Sequence, residues 1–266
     1  MKKTIISCVL FLTAVTAFSQ TPMKTAAEAK LSASDLAVKI ADRILATTTY
    51  EFKNTKTGKT YKSVKNLPLD MNVKVACKYN NWHYTNGVTH IALMELADKT
   101  GAKKYDDYVL KNMNFVFNEG NLDFFKKQYD QAMKNEGWYG VRKLSWHMIF
   151  RGKRLDDNGP MGASLIDLQM KHPNNSFLNY INETAEHLNY GEPRLADGTI
   201  ARIWPHENTI WADDAFMAIS FLARMAKMTG DMSYINDAAN QVIKYHKYLW
   251  CPEKRILYHC YHTCRY

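Results

Sequence analysis

Residues 209–250 read TIWADDAFMAISFLARMAKMTGDMSYINDAANQVIKYHKYLW, and a short turn leads on to Ile256-Leu-Tyr-His-Cys-Tyr261. Met217, Phe221, Met225 and Met228 recur at helical spacing and read as one buried stripe. Thr229-Gly230 marks a tight turn, and an amphipathic stretch follows with Tyr234 in its first turn. This is a helical hairpin. Trp211 and the adjacent carboxylates Asp213 and Asp214 stand where its first helix begins, and His259 returns beyond the end of its second.

The same unit recurs upstream. Gly87-Val-Thr-His-Ile-Ala-Leu-Met-Glu-Leu leads to Thr100-Gly101 and Tyr105, and Gly159-Pro-Met-Gly-Ala-Ser-Leu-Ile-Asp-Leu leads to His172-Pro173 and Phe177. The aromatic positions are offset by 72 residues (Tyr105 to Phe177) and by 57 (Phe177 to Tyr234). Such spacing predicts stacked helical hairpins, an all-α fold built as a solenoid or closed toroid. The units differ enough among themselves to favour closure into an (α/α) barrel. The first helices then follow the Gly- or Asp-rich loops and bring Trp82, Asp157 and Trp211 to one rim, where positive helix ends favour an anionic ligand. Further upstream, Ser32-Ala-Ser-Asp35 resembles a capping box ahead of Leu36, Ile40 and Ile44. Residues 47–78 read as irregular.

A leader is expected over residues 1–19: Lys2 and Lys3, an apolar run from Ile5 to Phe18, and Ala17-Phe18-Ser19 before a cut at Gln20. Ile5-Ile-Ser-Cys8 also loosely fits a lipid-attachment site, but the apolar run continues past Cys8. The domain proper is then 20–266, exported to the periplasm or beyond the cell, with no membrane span once the leader is cut. Losing Lys2 and Lys3 takes the formal charge from +9 to +7. Basic residues are interleaved with acidic ones and form no stripe, so nucleic acid is not an expected partner. Of five cysteines, Cys77, Cys251, Cys260 and Cys264 remain. The cluster His259-Cys260-Tyr-His262-Thr-Cys264 lacks the second ligand pair that a zinc site wants, and no metal is expected.

Paired carboxylates are the chemical signal. Asp156-Asp157 and Asp213-Asp214 hold corresponding places in two units and would face each other across a barrel mouth. Either pair is explained as well by helix capping. Two carboxyls in unlike surroundings can divide into a protonated acid and an ionised partner. Trp211 offers a flat face for a sugar ring. Arg202 would clamp a substrate carboxylate or make a surface salt bridge, and His259 is either a ligand or a structural histidine. Trp82, Trp138, Trp146 and Trp204 read as core or as stacking platforms. The chain has no phosphate loop, Gly-x-Ser-x-Gly elbow or His-Glu-x-x-His helix.

Leu155-Asp-Asp-Asn-Gly-Pro-Met-Gly162, Asp197-Gly-Thr199 with Arg202, Thr209-Ile-Trp-Ala-Asp-Asp-Ala-Phe-Met217, Phe221-Leu-Ala-Arg224 and Leu257-Tyr-His-Cys-Tyr261 together resemble the unsaturated rhamnogalacturonyl hydrolases of glycoside hydrolase family 105, relatives of family 88. The resemblance implies an (α/α)6 barrel and, as substrate, an oligosaccharide whose non-reducing end is the 4,5-unsaturated uronic acid left by a pectin- or rhamnogalacturonan-cleaving lyase. It implies hydration of the vinyl ether, in place of displacement at the anomeric carbon. Asp213 would be general acid and base, Asp157 the second acidic residue, and Trp211 and His259 the lining of the uronate subsite. Asp213 would then need a raised pKa. No metal or organic cofactor is implied.

The resemblance also implies a later Trp-Gly-Arg-x-Asn-Gly-Trp motif and further helices, which are not in this sequence. Length agrees: six hairpins of ~65 residues need roughly 390, and 266 residues less the leader hold nearly four. An incomplete barrel is therefore expected. A non-catalytic sugar-binding helical module, or an inactive fragment, is the competing reading. Another (α/α)-barrel enzyme, an epimerase or mannosidase, leaves the two Asp-Asp motifs without a reason.

Overall fold

A computed structural model describes residues 32–152 and 154–262; the expected leader and Cys264 lie outside the described residues. The chain divides into two compact units, residues 1–42 and 43–266. In the first, α1 (Ala33–Thr47) begins where the capping signature places it. The Asp35 backbone N–H donates to Ser32 Oγ at 3.1 Å, and Ser32 N–H donates back to the Asp35 carboxylate at 3.1 Å.

The second unit opens with a three-stranded antiparallel sheet where the sequence reads as irregular. Strands β1 (Phe52–Asn54), β2 (Thr60–Tyr61) and β3 (Val73–Val75) lie in the order β2-β1-β3, with Phe52 opposite both Tyr61 and Val75. Strands of two or three residues are too short to show an alternating pattern. What fixes them is Phe52, fully buried among Phe115, Phe124 and Phe125.

Helical hairpins follow. α2 (Tyr84–Thr100) returns through α3 (Lys104–Val116), and α4 (Glu119–Val141) bends at Gly137, whose φ is 58°. After the short α5 (Met148–Arg151), α6 (Leu155–Lys171) returns through α7 (Asn175–Glu186) and a π-helical turn, His187–Gly191. β4 (Thr209–Trp211) leads into α8 (Ala212–Thr229), which returns through α9 (Met232–Leu249). β5 (Trp250–Cys251) pairs with β6 (Ile256–Leu257), and β7 (Cys260–His262) pairs with β4. Gly101 and Gly230 end α2 and α8 in the left-handed conformation, with φ of 71° and 76°, as the Thr-Gly turns predict. Tyr105 and Phe177 are buried, and Tyr234 is half-buried.

α2, α6 and α8 pack side by side, and α3, α7 and α9 each return against them. The three first helices run parallel. Trp82 and Asp157 meet at the starts of α2 and α6, while Lys171 reaches Asp98 and Arg224 reaches Asp167 toward the far ends. Every residue of α6 from Asp157 to Ile166 is buried, the mark of a central helix. Glycine sets the spacing. A Cβ on Gly87 would stand 2.4 Å from the Pro160 carbonyl carbon, one on Gly159 2.7 Å from Met217 O, and one on Gly162 2.8 Å from the Phe221 ring. Gly87 and Gly159 thus lie inside helices at their crossings, and not in preceding loops.

Trp82 and Trp146 are core, under 2% exposed; Trp138 is half-buried and Trp204 exposed. Met217, Phe221 and Met225 are buried as the stripe predicts. Among the described residues no helix is long and apolar enough to cross a membrane.

Candidate active site

The starts of α6 and α8 converge on one guanidinium. Arg202 precedes α8 in a loop that α9 holds. Arg194 makes a paired ion contact with Asp237 at 2.8 and 3.0 Å, Gln241 bonds to both Gly198 O and Ile200 N–H, and Tyr245 donates to Ile200 O. Asp197-Gly198-Thr199 is the turn of this loop, with the Asp197 carboxylate accepting from Thr199 N–H and Oγ.

Arg202 donates to Asp214 through Nε at 2.6 Å and Nη2 at 2.7 Å, and Nη2 lies 3.2 Å from Asp213 and 3.5 Å from Asp156. Its guanidinium carbon sits 4.6 Å from the centre of the Trp211 ring. The fork is therefore engaged, and a substrate carboxylate arriving here would meet three acids. Of the two roles expected of Arg202, a clamp on substrate or a salt bridge, this structure shows the salt bridge, partly buried. Asp156, Asp213 and Asp214 offer oxygens within 4.8 Å of one another, a spacing a divalent cation would accept, but Arg202 already supplies the countercharge.

The two Asp-Asp pairs do face each other, through Asp156 and not Asp157. Asp157 has no exposed side-chain surface; Arg151 donates to both its oxygens, and its carbonyl accepts from Trp82 Nε1 at 2.6 Å. The structure thus places Asp157 behind the cleft, against Arg151, and Asp156 at its lining. Successive helical residues point about 100° apart, and at the start of α6 it is Asp156 that lines the cleft. Burial raises the Asp157 pKa, with Arg151 pulling the other way. Burial likewise pushes Asp214 up to about 6, against the pull of Arg202. Arg202 itself is held above its ordinary value: burial disfavours its charge, but hydrogen bonding to Asp214 and the three carboxylates outweigh it.

Asp213 is the more open member, its side chain 42% exposed, although its Oδ1 is itself enclosed and has no hydrogen-bond partner. The pairing of β4 with β7 delivers His259 beside it. Ala212 N–H donates to His259 O at 2.8 Å, the imidazole stands edge-on to Trp211 at 5.0 Å, and Nε2 is 4.0 Å from Asp213 Oδ1. Trp211, His259, Asp213 and Arg202 thus form one group. Among the described residues Cys77, Cys251 and Cys260 form no disulfide.

A cleft of about 280 Å³ opens beside this group, lined by Arg154, Asp156, His187, Glu192, Trp204 and Asp214 among others. His187 reaches Glu192 at 2.9 Å from the π-helical turn, and Arg154 lies over Trp204 at 4.8 Å. Sequence reasoning named the Asp156-Asp157 pair but chose Asp157 from it, and it missed Arg151 and Arg154. Arginines one helical turn ahead of Asp156-Asp157 were the available signal.

The family model for Glycosyl Hydrolase Family 88 matches residues 56–266. Solved structures share the fold. One is described as a possible member of the GH105 family from Salmonella enterica subsp. enterica serovar Paratyphi A str. ATCC 9150: 14% identical, TM-score 0.55, covering 88% of this chain and 53% of that one. Another, described likewise, is from Klebsiella pneumoniae subsp. pneumoniae MGH 78578: 15% identical, TM-score 0.55, covering 89% and 53%. A family 105 glycoside hydrolase from C. acetobutylicum ATCC 824 is 21% identical, with TM-score 0.50, covering 75% and 46%. The chain spans about half the length of these structures. No curated protein matches it.

Proposed function

The chain belongs to glycosyl hydrolase family 88, and we propose that it acts as a glycosidase on oligosaccharides left by polysaccharide lyases, removing a 4,5-unsaturated uronic acid from the non-reducing end. The observation that carries this reading is the convergence of Asp156, Asp213 and Asp214 on Arg202, with Asp213 alone open beside an aromatic wall.

A proton donor must reach the reacting atom. Asp214 is 1% exposed and held by two hydrogen bonds, so it anchors Arg202. Asp213 has the access and is the proposed acid. It delivers a proton to C4 of the vinyl ether, and water drawn toward its carboxylate adds at C5. The product is a hemiketal; its ring opens to a C5 ketone, and the hemiacetal left at C1 releases the next sugar. Arg202 fixes the carboxylate positions, Asp156 supplies a second charge near the water, and the Trp211 and His259 rings stand against the uronate. Export through the N-terminal leader belongs to the same proposal, since lyase products of this kind arise outside the cytoplasm.

The test follows the ultraviolet absorbance of the conjugated double bond during incubation with an unsaturated galacturonyl-rhamnose disaccharide. Absorbance should fall with the wild-type chain. Asp213→Asn, folded by circular dichroism, should slow it on the order of 10²–10⁴-fold. Undiminished turnover in that variant rules Asp213 out as the acid.

A further inference from the structure

Arg154 is the other arginine of the cleft, and it is placed differently from Arg202. It occupies the position just before α6, beside Asp156. Its guanidinium lies over the Trp204 ring at 4.8 Å, and Trp204 is 60% exposed. Each carboxylate lining the cleft already has a partner: Asp156 and Asp214 share Arg202, and Glu192 has His187 at 2.9 Å. Among the described residues Arg154 makes no ion pair within 4.0 Å. Arg151, three residues earlier, is spent on Asp157. Among the described residues the cleft therefore presents a guanidinium whose hydrogen-bonding edge is uncommitted, with its central carbon over an indole ring.

That arrangement suits one ligand chemistry. A guanidinium stacked on an aromatic face has lost little freedom still to be lost on binding, and its planar fork matches the two oxygens of a carboxylate. An indole beside it offers apolar surface to the ring that carries the carboxylate. Burial and the neighbouring Arg151 charge lower the Arg154 pKa, with Asp157 and Asp156 pulling the other way.

We propose that Arg154, backed by Trp204, binds the carboxylate of an acidic sugar in the cleft and so selects uronides over neutral or esterified sugars. This deepens the proposed function and rests on that reading for the identity of the sugar. Arg154 is a specificity residue and takes no part in the proton transfer.

The experiment measures binding by isothermal titration on the full chain with three probes: digalacturonate, its methyl ester and the neutral galactobiose. Wild type is compared with Arg154→Gln, Arg154→Lys and Trp204→Leu, each checked for an unchanged melting transition. Digalacturonate should bind wild type on the order of tenfold more tightly than the ester. Arg154→Gln should erase that preference while leaving ester binding unchanged, Arg154→Lys should restore part of it, and Trp204→Leu should weaken acid and ester alike. With the unsaturated disaccharide, Arg154→Gln should raise KM and leave kcat near wild type. Equal binding of acid and ester by wild type, or equal losses for both in Arg154→Gln, overturns the proposal. Carboxylate-selective binding lost in Arg154→Gln, in a chain that never consumes the double bond, sustains Arg154 and removes only the vinyl-ether reading. Turnover with an unchanged KM in Arg154→Gln does the reverse.

Discussion

Replacing Arg202 with methionine removes the group on which the site is assembled. Asp214 is 1% exposed and loses hydrogen bonds of 2.6 and 2.7 Å, while Asp213 and Asp156 lose their shared countercharge. Removing one partner of a buried pair costs about 3–5 kcal/mol, because the other charge stays buried without compensation. The lost stacking on Trp211 adds roughly 1 kcal/mol. With a urea m value of ~3 kcal/mol/M, the unfolding midpoint should fall by about 1.3–2 M at pH 7.5. The pH dependence identifies the cause. A carboxyl whose folded pKa exceeds its unfolded value contributes stability fully below the unfolded value, here 3.8, and loses it as pH rises through the folded one. Asp214 stands at about 6 in the wild type and should stand higher without Arg202. The gap between variant and wild type should therefore narrow as pH falls from 7.5 to 5, where protonation relieves the stranded charge. Urea titrations followed by circular dichroism at both pH values measure this. Equal midpoints at pH 7.5, or a gap that does not change with pH, would refute the reasoning.

Other consequences can be measured on the same scale. Gly159→Ala drives a Cβ to 2.7 Å from Met217 O, a backbone atom that cannot swing aside; it should destabilise by about 1–3 kcal/mol despite alanine's better helix propensity, and a rise in melting temperature would contradict the close α6–α8 crossing. His90 is fully enclosed on α2, neither ring nitrogen has a hydrogen-bond partner, and burial lowers its pKa from 6.5 to about 4. The unfolded chain therefore binds the extra proton first, and His90 should cost about 3 kcal/mol of stability as pH drops from 6.5 to 4. His90→Leu should flatten that part of the stability profile, and a wild type and variant with parallel profiles would exclude His90 as its source. Arg151→Met strands Asp157 and should lower the melting temperature more than Arg154→Gln, which breaks no ion pair.

The hairpins were legible because two independent signals agreed: an apolar repeat at helical spacing, and glycines at both Thr100-Gly101 and Thr229-Gly230 where the chain must turn left-handed. The parallel first helices followed from those repeats, whereas the placing of His259 with Trp211 and Asp213 came from the family resemblance. Gly87 and Gly159 carried the right emphasis for another reason. A missing Cβ serves a turn and a close helix crossing equally, and sequence does not separate the two. The sheet of β1 to β3 stayed hidden because its strands are shorter than one pattern repeat. The choice between Asp156 and Asp157 also lay beyond spacing. Adjacent residues at a helix start differ by a rotation that only the packing of Trp82 and Arg151 decides. Arg202 was found, but its role depended on how many acids would surround it.

The most direct test of the central claim is isotopic. The unsaturated disaccharide is incubated with the chain in D₂O enriched in ¹⁸O, and the released uronic acid is examined by mass spectrometry and NMR. Vinyl-ether hydration at Asp213 predicts a double bond lost, deuterium at C4 and ¹⁸O at C5. An intact double bond with ¹⁸O only at the anomeric carbon would contradict it and place the chain among ordinary two-carboxylate glycosidases.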